Sequence, residues 1–291
     1  MKKLLWISLV LLAFGCSQEE YEPADNGEIK VEAHLASRAT MTEFESGDKL
    51  GLYAVEYVNG EAQPLQPGGN YLNNEPVVYN NGSWASNRNV YWSDAACDFY
   101  GIYPYQSLKS IENVLFEVAT NQNLAETKEA LSGYEASDLM WAKAENVSRA
   151  DGSVKLKFNH LMSRLVVKVV KGPKFEGEIP DDIVTHLYNT ATTAKVNYAT
   201  GSLEKYVYSE NKTITMRKVD NETFDAIVVP QFIERTTPLV EITMGGIAYL
   251  LNYSMSFRPG VQHTITVTLN TSPDQEKIEI QIDGGVGDWS E

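Results

Sequence analysis

The amino-acid sequence predicts an all-β protein. Short runs in which every second residue is apolar recur along the chain, and Val, Ile, Tyr, Phe and Thr are frequent in them. The clearest runs cover residues 28–35, 50–58, 97–103, 154–158, 165–170, 224–229, 239–244, 247–253, 263–269 and 277–282. Helical spacing of apolar residues is rare. Strands about ten residues apart without alternating helices indicate β-sandwiches rather than a doubly wound sheet.

Four dipeptides predict tight hairpins between these runs. They are Asn59-Gly60, Asn81-Gly82, Asp151-Gly152 and Gly245-Gly246. Glycine accepts the positive φ that type I′ turns require, so antiparallel pairing is expected. Residues 121–132 are the one candidate for a short helix, because Leu124 and Leu131 lie two turns apart among helix-forming residues. We interpret this segment as an excursion within a loop.

The N-terminus has the pattern of a leader. Two lysines precede an apolar run over residues 4–14, which is too short to cross a bilayer as a helix of about twenty residues. A small residue directly precedes Cys16, and the surrounding residues resemble a lipobox, in which the Cys thiol is acylated. We therefore expect a signal peptide over residues 1–15 and a lipid on Cys16. An ordinary signal peptide with an incidental cysteine is the alternative.

Acidic residues follow this cysteine. Residues 17–22 are rich in Glu and lead into a stretch with Pro, Asn and Gly, which predicts a solvated tether. The acidic patch is similar to the surface-export signal of some Gram-negative outer-membrane lipoproteins, and simple solubility is the alternative. The pattern predicts an outer-membrane lipoprotein precursor exposed at the cell surface.

Charge and length limit the classes of partner and fold. The chain has 39 acidic and 24 basic residues, and a net charge of −15 opposes binding to nucleic acid. The other cysteine, Cys97, lacks a disulfide partner once Cys16 is acylated. The length after the leader allows one large domain or two ordinary ones. We favour two, divided near Lys171-Gly172-Pro173.

No catalytic or metal-binding pattern stands out. The histidines are scattered without ligand spacing, and we interpret each as a surface or hydrogen-bonded core residue: they are His34, His160, His186 and His263. The acidic neighbours of Cys97 should raise its thiol pKa. Asp94 with Asp98, or Asp181 with Asp182, could act as glycosidase acids, yet such pairs arise by chance in an acidic chain. We expect no enzyme, cofactor or metal.

Nine aromatic residues crowd the segment from residue 71 to residue 105. They are Tyr71, Tyr79, Trp84, Tyr91, Trp92, Phe99, Tyr100, Tyr103 and Tyr105. Such rings can stack on sugars. Several alternate in phase with the strands, which favours a place in the core of a β-sandwich.

The two ends of the chain carry strands with matching one-sided alternation. In the first strand the apolar positions are Ile29, Val31, Ala33 and Leu35. In the last, within residues 276–289, they are Ile278, Ile280 and Ile282. Either strand could fill the same groove, so an end of one subunit could replace that of another by strand addition. A trypsin-like protease could cut between Arg38 and Ala39, releasing the first strand and the lipid. Two ordinary terminal strands are the alternative.

A series of motifs follows along the chain. They begin with Arg38-Ala39-Thr40 and Phe44 and continue through residues 47–53, 91–92, 98–105, 138–142, 158–167, 229–231, 257–260 and 289. In their order and spacing these motifs resemble those of fimbrillin family proteins (Mfa-like), the subunits of type V pili. The resemblance covers the chain from Arg38 onward. It implies two transthyretin-like β-sandwich domains, lipoprotein export, cleavage after an Arg that corresponds to Arg38, and polymerisation by donor-strand exchange.

On this interpretation residues 16–38 hold the lipid, tether and removable strand, residues 39–171 and 172–291 form the two domains, and residues 276–289 supply the donor. Other fimbrillin subunits would be the partners, in a homo- or heteropolymer that supports adhesion to a host or bacterial surface ligand.

The resemblance also gives structural roles to individual motifs. Gly47-Asp48 is interpreted as a turn, Tyr103-Pro104-Tyr105 as a strand end, and His160 with Arg164 as a pair at the start of a strand. The ribbon near Ile280 favours a stalk subunit. A tip or membrane-anchor subunit, a surface glycan-binding lipoprotein and a secreted hydrolase remain alternatives.

Overall fold

Strands make up nearly all regular structure. A computed structural model describes residues 27–36, 44–128, 130–270 and 280–288, the last range by its backbone alone. These residues include no α-helix and two short 3₁₀ helices, Glu135–Ser137 and Arg149–Asp151. The all-β prediction is confirmed.

The strands are β1 Val31–Leu35, β2 Lys49–Val58, β3 Glu61–Ala62, β4 Leu72–Asn80, β5 Ser83–Ser86, β6 Cys97–Tyr103, β7 Val114–Glu117, β8 Met140–Val147, β9 Val154–His160, β10 Ser163–Lys171, β11 Val184–Ala191, β12 Thr193–Asn197, β13 Ser202–Lys205, β14 Asn211–Thr215, β15 Arg217–Lys218, β16 Thr223–Val228, β17 Phe232–Ile233, β18 Pro238–Met244, β19 Ile247–Asn252, β20 Met255–Ser256, β21 Val261–Leu269 and β22 Ile280–Asp288.

The first sheet closes on itself. β2 pairs with both β4 and β6, so the order β2-β4-β5-β1-β9-β8-β6 returns to β2, and β3 is attached to β2. Every pairing in this ring is antiparallel except that of β1 with β9. The first core consists of buried apolar side chains inside the ring, among them Leu50, Leu52, Phe99, Leu156 and Phe158.

Two further sheets share a second core. One has the order β15-β16-β10-β21-β22 and the other β14-β11-β18-β19. Both contribute to one cluster of buried apolar residues, including Leu165 and Ile265 from the first and Leu187 and Ile242 from the second. Smaller sheets are β13-β12-β7 and β17-β20.

Sheet membership changes earlier than the predicted domain division at residues 171–172. β9 belongs to the ring, whereas β10 pairs antiparallel with β16 and parallel with β21. The change therefore falls at residues 161–162. β7 also precedes the predicted division and pairs with β12, which follows it. Long-range pairing decides these memberships, whereas the Gly and Pro residues after 171 only end β10.

Three predicted hairpins are confirmed. Asn59-Gly60 joins β2 to β3, Asn81-Gly82 joins β4 to β5, and Gly245-Gly246 joins β18 to β19. All six residues have φ between 48° and 88°, as type I′ turns require.

The predicted antiparallel pairing around Asp151-Gly152 is present between β8 and β9, but the predicted two-residue turn is wrong. Asp151 ends a 3₁₀ helix that begins at Arg149, and its carboxylate accepts hydrogen bonds from the backbone N–H and hydroxyl of Ser148. This capping box satisfies the local backbone and competes with a two-residue turn.

The segment from residue 121 to residue 132 is not an α-helix in its described part. The Gln122 side chain donates to the Ile227 carbonyl at 2.8 Å and accepts from the Ile227 N–H at 2.7 Å. The Gln122 N–H also donates to the Thr215 carbonyl. Leu124 is 58% exposed, so it does not form the apolar face that a packed helix needs. The interpretation as a loop holds for these residues.

The aromatic segment divides between core and surface. Six of the nine rings are buried or half-buried: Tyr79, Trp84, Trp92, Phe99, Tyr100 and Tyr103. Tyr71, Tyr91 and Tyr105 are exposed. The core interpretation is confirmed for the six.

Candidate functional site

The site with the clearest sequence signal is the position of β1 in the ring. β1 pairs parallel with β9 over five residues, from Val31 opposite Val154 to Leu35 opposite Phe158. On its other side a single pair, Val31 with Trp84, joins it to β5. The first strand of the described chain therefore closes the ring between β5 and β9.

Further backbone hydrogen bonds hold the segment at both ends. The Ile29 N–H donates to the Val90 carbonyl at 2.8 Å, and the Trp92 N–H donates to the Gly27 carbonyl at 3.0 Å. At the other end the Ala36 N–H donates to the Phe158 carbonyl at 2.7 Å. Residues 27–36 are thus attached along their whole length.

The predicted inward face of this strand is confirmed. Ala33 is 6% exposed and belongs to the first core, while Ile29, Val31 and Leu35 are half-buried against it. On the opposite face Lys30, Glu32 and His34 are exposed. A strand of period two therefore seals the core with small and branched apolar groups and presents polar groups to solvent.

An aromatic cluster lies beneath this strand. Phe44 packs edge-on against Trp84, with ring centroids 4.8 Å apart, and against Phe158 at 5.7 Å. Tyr103 lies 5.6 Å from Phe44. Trp84, Tyr103 and Phe158 belong to β5, β6 and β9, and Phe44 precedes β2.

β1 is held unequally on its two sides. The residues of β1 from 32 to 35 have no pairing partner on the β5 side within the described chain. Its main ladder is the parallel one with β9, and parallel pairing is slightly less stable per residue than antiparallel pairing. This closure is therefore weaker than one made by a strand paired antiparallel on both edges.

The predicted donor segment is already paired within its own chain. β22 runs antiparallel to β21 over nine residues, with Ile280 opposite Leu269 and Ile282 opposite Val267. It is an edge strand of the five-stranded sheet. Ile278 lies outside the described residues. The ribbon is therefore an integral strand of this sheet, which is the condition under which a tip or anchor role stands equal to a stalk role.

Glycine is frequent in β22. Gly284, Gly285 and Gly287 lie opposite Ile265, Thr264 and Gln262. Glycine weakens a strand interior, because it loses more backbone freedom on folding and brings no side chain to pack. The pairing of β22 with β21 is therefore less stable than its length of nine residues indicates.

Three predicted site residues, Cys16, Arg38 and Ala39, lie outside the described residues. Residues 37–43 connect Ala36, the last described residue after β1, to Phe44. The predicted cleavage position thus falls in the connection between the closing strand and the rest of the ring.

The motif roles are partly as predicted. Gly47 has φ of 113° in a turn, and the Asp48 carboxylate accepts a hydrogen bond from the Tyr103 hydroxyl at 2.7 Å. Tyr103 is the last residue of β6, as predicted. The prediction that His160 and Arg164 together mark the start of one strand is wrong, because His160 ends β9 and Arg164 is the second residue of β10. Asp138 contacts His160 at 2.8 Å, and Asp225 contacts Arg164 at 2.7 Å.

Cys97 has an unreactive setting, as predicted. Burial, followed by the nearby charges of Glu56 and Asp98, raises the pKa of the Cys97 thiol to about 11. Burial alone would raise the pKa of Asp98, but hydrogen bonds from the Asn146 N–H, Lys143 and Tyr57 lower it. Asp98 is therefore held as a paired carboxylate. The exposed Asp94 does not share this environment.

The described residues include no group of three or more His, Cys, Asp or Glu side chains arranged to hold a metal ion. Within the same ranges, none of the helices has the length and apolar character needed to span a membrane.

His263 departs from the expectation of a hydrogen-bonded core histidine. It is 2% exposed, and neither ring nitrogen has a hydrogen-bond partner in the described chain. Phe257 packs edge-on against its ring. His263 lies in β21 opposite Val286 of β22, so it is next to the predicted donor strand.

This environment predicts a dependence of stability on pH. Burial, and secondarily the charge of Arg258, lowers the pKa of His263 below its ordinary 6.5. The unfolded chain therefore binds a proton at higher pH than the folded chain, and this histidine reduces stability as pH falls below 6.5. In urea unfolding at neutral and mildly acidic pH, His263→Phe should lose less stability on acidification than the parent. The exposed His34→Gln should match the parent, and equal losses in all three chains would contradict the argument.

Fold and site together define a class: an all-β protein whose first described strand closes a ring of strands and whose last described strand lies at a sheet edge. A sequence profile of the family described as Fimbrillin-like matches residues 37–289. The chain belongs to this fimbrillin-like family. Membership supports a role as a fimbrial subunit and implies a location in cell-surface fimbriae.

Solved structures share the fold. A candidate cell adhesion protein from Bacteroides uniformis is 22% identical, with a TM-score of 0.66 over 92% of this chain and 100% of that one. A candidate cell adhesion protein from Bacteroides ovatus is 15% identical, with a TM-score of 0.65 over 90% and 97% of the two chains. The C-terminally truncated tip fimbrial protein Mfa3 from Porphyromonas gingivalis is 12% identical, with a TM-score of 0.50 over 90% and 99%. No curated protein matches the sequence.

Proposed function

We propose that the chain is a structural subunit of a type V pilus that polymerises by donor-strand exchange and supports adhesion. The main support for this proposal is that β1 closes the ring by a parallel ladder with β9 and a single residue pair with β5. Cleavage after Arg38 would separate this strand from the rest of the ring. Its departure would expose the edge of β9 and the first core, and a strand from another subunit would restore both.

The alternation of the two termini supports this exchange. The C-terminal apolar positions, Ile278, Ile280 and Ile282, have the same period as the inward face of β1. A strand of this period can place its isoleucines where Val31, Ala33 and Leu35 now lie. Isoleucine is larger than alanine, so the replacement strand would bury more apolar surface at the central position.

The remaining features of the proposal rest on sequence and resemblance. We propose export as a lipoprotein with a signal peptide over residues 1–15 and a lipid on Cys16, maturation at the outer membrane, and two transthyretin-like domains. Other fimbrillin subunits are the proposed partners. A host or bacterial surface ligand would be the target of adhesion.

Two positions of the subunit within the pilus are equally well supported. The alternation of the C-terminal ribbon favours a stalk subunit, which must donate a strand. The pairing of β22 with β21 favours a tip or anchor subunit, which keeps that strand in place. A stalk subunit would first have to release the edge strand, and its glycines reduce the cost of that step.

A polymerisation experiment tests the donor. The purified chain should form fibres visible by electron microscopy after treatment with an arginine-specific protease, and Arg38→Gln should prevent both cleavage and fibres. Ile280→Asp should stop fibre growth by placing a charge in the groove, at a cost of several kcal/mol. Gln281→Asp is the matched control in the opposite phase of the strand. Unchanged fibres from Ile280→Asp would exclude this ribbon as the donor.

A surface glycan-binding lipoprotein is a second candidate. Tyr71, Tyr91 and Tyr105 are 37%, 49% and 38% exposed, and the Tyr71 hydroxyl donates to the Tyr91 carbonyl. Binding of the uncleaved monomer to a glycan array, lost on replacing Tyr91 with Ala, would favour it. We propose no catalytic role for Asp94 or Asp98.

A further inference from the structure

The outer face of β9 carries two positive charges next to β1. Lys155 lies opposite Glu32 of β1 in the parallel ladder. Lys157 lies opposite His34, and all four side chains are exposed. Neighbouring strands lie about 4.8 Å apart, so side chains opposite each other on one face can reach one another. β5, the strand on the other side of β1, has no charged residue. Of the two strands that flank β1, β9 therefore supplies the charge at the outer face.

Departure of β1 would leave these lysines beside an open edge. The outward positions of β9 are Lys155, Lys157 and Asn159, so this face has two basic residues and no acidic one. β1 brings one carboxylate to the same face, that of Glu32. A strand that replaces β1 would therefore meet a positive edge, although the chain as a whole has a net charge of −15. Such an edge favours an acidic residue on the outer face of the incoming strand.

The C-terminal segment repeats the polar pattern of β1 as well as its apolar one. Residues 30–35 read Lys-Val-Glu-Ala-His-Leu, and residues 277–282 read Lys-Ile-Glu-Ile-Gln-Ile. Lysine and glutamate occur at the same positions in both segments, and every apolar position is apolar in both. When the two segments are aligned, Glu279 takes the place of Glu32 and thus lies beside Lys155.

This aligned register fills the groove better than the registers two residues to either side. One shift puts Gly284 at the place of Leu35, where it leaves the apolar contacts unfilled. The same shift puts Asp283 beside Lys157. The opposite shift puts Glu276 on the inward face, where removing its charge from water costs free energy. The aligned register is therefore favoured by packing as well as by charge.

We propose that Lys155 and Lys157 select the incoming strand by charge and hold it in the register that places Glu279 of a second subunit beside Lys155. This inference rests on the proposed donor-strand exchange and adds to it the residues that determine specificity. Opposite charges on neighbouring strands attract and like charges repel, so the two lysines accept a carboxylate at this position and disfavour a basic residue. Whole subunits of this charge repel each other, whereas the contact between the strand and β9 is attractive.

Binding of a synthetic peptide tests this selection. The probe is a fluorescein-labelled peptide of residues 276–286, and the acceptor is the full-length chain carrying Cys16→Ser, which cannot be acylated. The acceptor is cut after Arg38, separated from the released fragment and used below the concentration at which fibres form. Fluorescence anisotropy should show binding of the parent peptide. Glu279→Lys in the peptide should weaken binding about tenfold, because a carboxylate next to two lysines becomes a third cation.

Asp283→Lys in the peptide is the matched control. It changes the peptide charge by the same amount, but in the aligned register Asp283 takes the place of Ala36, past the two lysines. Its binding should stay within about twofold of the parent. If Asp283→Lys weakened binding more than Glu279→Lys did, the shifted register would be the correct one and the proposal would be overturned.

A charge exchange in the acceptor tests the role of the lysine directly. Lys155→Glu should bind the Glu279→Lys peptide more tightly than the parent peptide, which reverses the order found with the parent acceptor. Its melting temperature before cleavage should match that of the parent, because residue 155 is exposed. A parent peptide that binds with no difference between the Glu279 variants would overturn the selection and leave donor-strand exchange standing. Failure of the parent peptide to bind would overturn both.

Discussion

Replacing Ala33 with Asp should destabilise the folded chain by about 3 kcal/mol and loosen β1 from the ring. Ala33 is 6% exposed in the first core, and a carboxylate there would lose water without gaining a partner. Detachment of residues 27–36 should require less free energy than unfolding of the whole ring, so we expect these residues to detach first. Chemical denaturation measures the stability loss, and limited proteolysis between residues 27 and 36 measures the detachment.

His34→Asp is the matched control for this substitution. The neighbouring residue is exposed on the opposite face of the same strand, so its replacement should change stability by about 0.5 kcal/mol or less. Equal effects of the two substitutions would mean that β1 does not seal the core with one face. The donor-strand proposal would then lose its physical basis.

Replacing Asp225 with Asn should cost about 3–5 kcal/mol of folding free energy. Asp225 is fully buried and accepts hydrogen bonds from Arg164 at 2.7 Å and from both Nε and a terminal nitrogen of Arg217 at 2.8 and 2.7 Å. Arg217 also lies 3.6 Å from the centre of the Tyr134 ring. The amide keeps the shape of the carboxylate but leaves the mostly buried guanidinium of Arg164 and the half-buried one of Arg217 without a compensating charge.

Glu178→Gln provides the control. Glu178 pairs with Lys171 on the surface and is 93% exposed, so losing its charge should have little effect on stability. The unfolding midpoint in urea of both variants should be compared at neutral pH. A small loss for Asp225→Asn would mean that the two arginines find other partners, and that the charge cluster does not hold β10, β15 and β16 together.

Local patterns predicted the strands and most of the turns. Period-two alternation is a property of neighbouring residues, so the inward face of β1 could be predicted from Ile29, Val31, Ala33 and Leu35 before any partner strand was known. The Asn-Gly and Gly-Gly turns were predictable because positive φ at two consecutive positions strongly selects these residues. At Asp151-Gly152 the antiparallel pairing of the flanking strands was predicted correctly, but the two-residue turn was not, because Ser148 and Asp151 cap a 3₁₀ helix there instead.

Interactions between distant segments could not be predicted. Arg164 and Asp225 are 61 residues apart, and each lies in a strand whose sequence shows only a polar residue among apolar ones. The change from the first sheet at β9 to another sheet at β10 could not be predicted for the same reason. The partners of β10 are β16 and β21, which lie much later in the chain. Tertiary packing also determines that His263 has no hydrogen-bond partner within the described residues.

The sequence predicted the two terminal strands of the candidate site, but it did not predict how the last strand is paired. The matching alternation of the termini indicated that either could fill one groove. It did not reveal that β22 pairs with β21 over nine residues, because an edge strand and a free donor strand have the same alternation. The sequence marks Phe44 only as part of a motif and does not indicate that it packs against Trp84.

The N-terminal sequence and mass of the mature protein from the surface of its native cells test the central claim most directly. The claim is that β1 is a removable strand that another subunit replaces. It predicts a chain that begins at Ala39 and lacks both β1 and the lipid. A chain that still begins at acylated Cys16 would contradict it, and would indicate a membrane-held anchor or a separate surface lipoprotein.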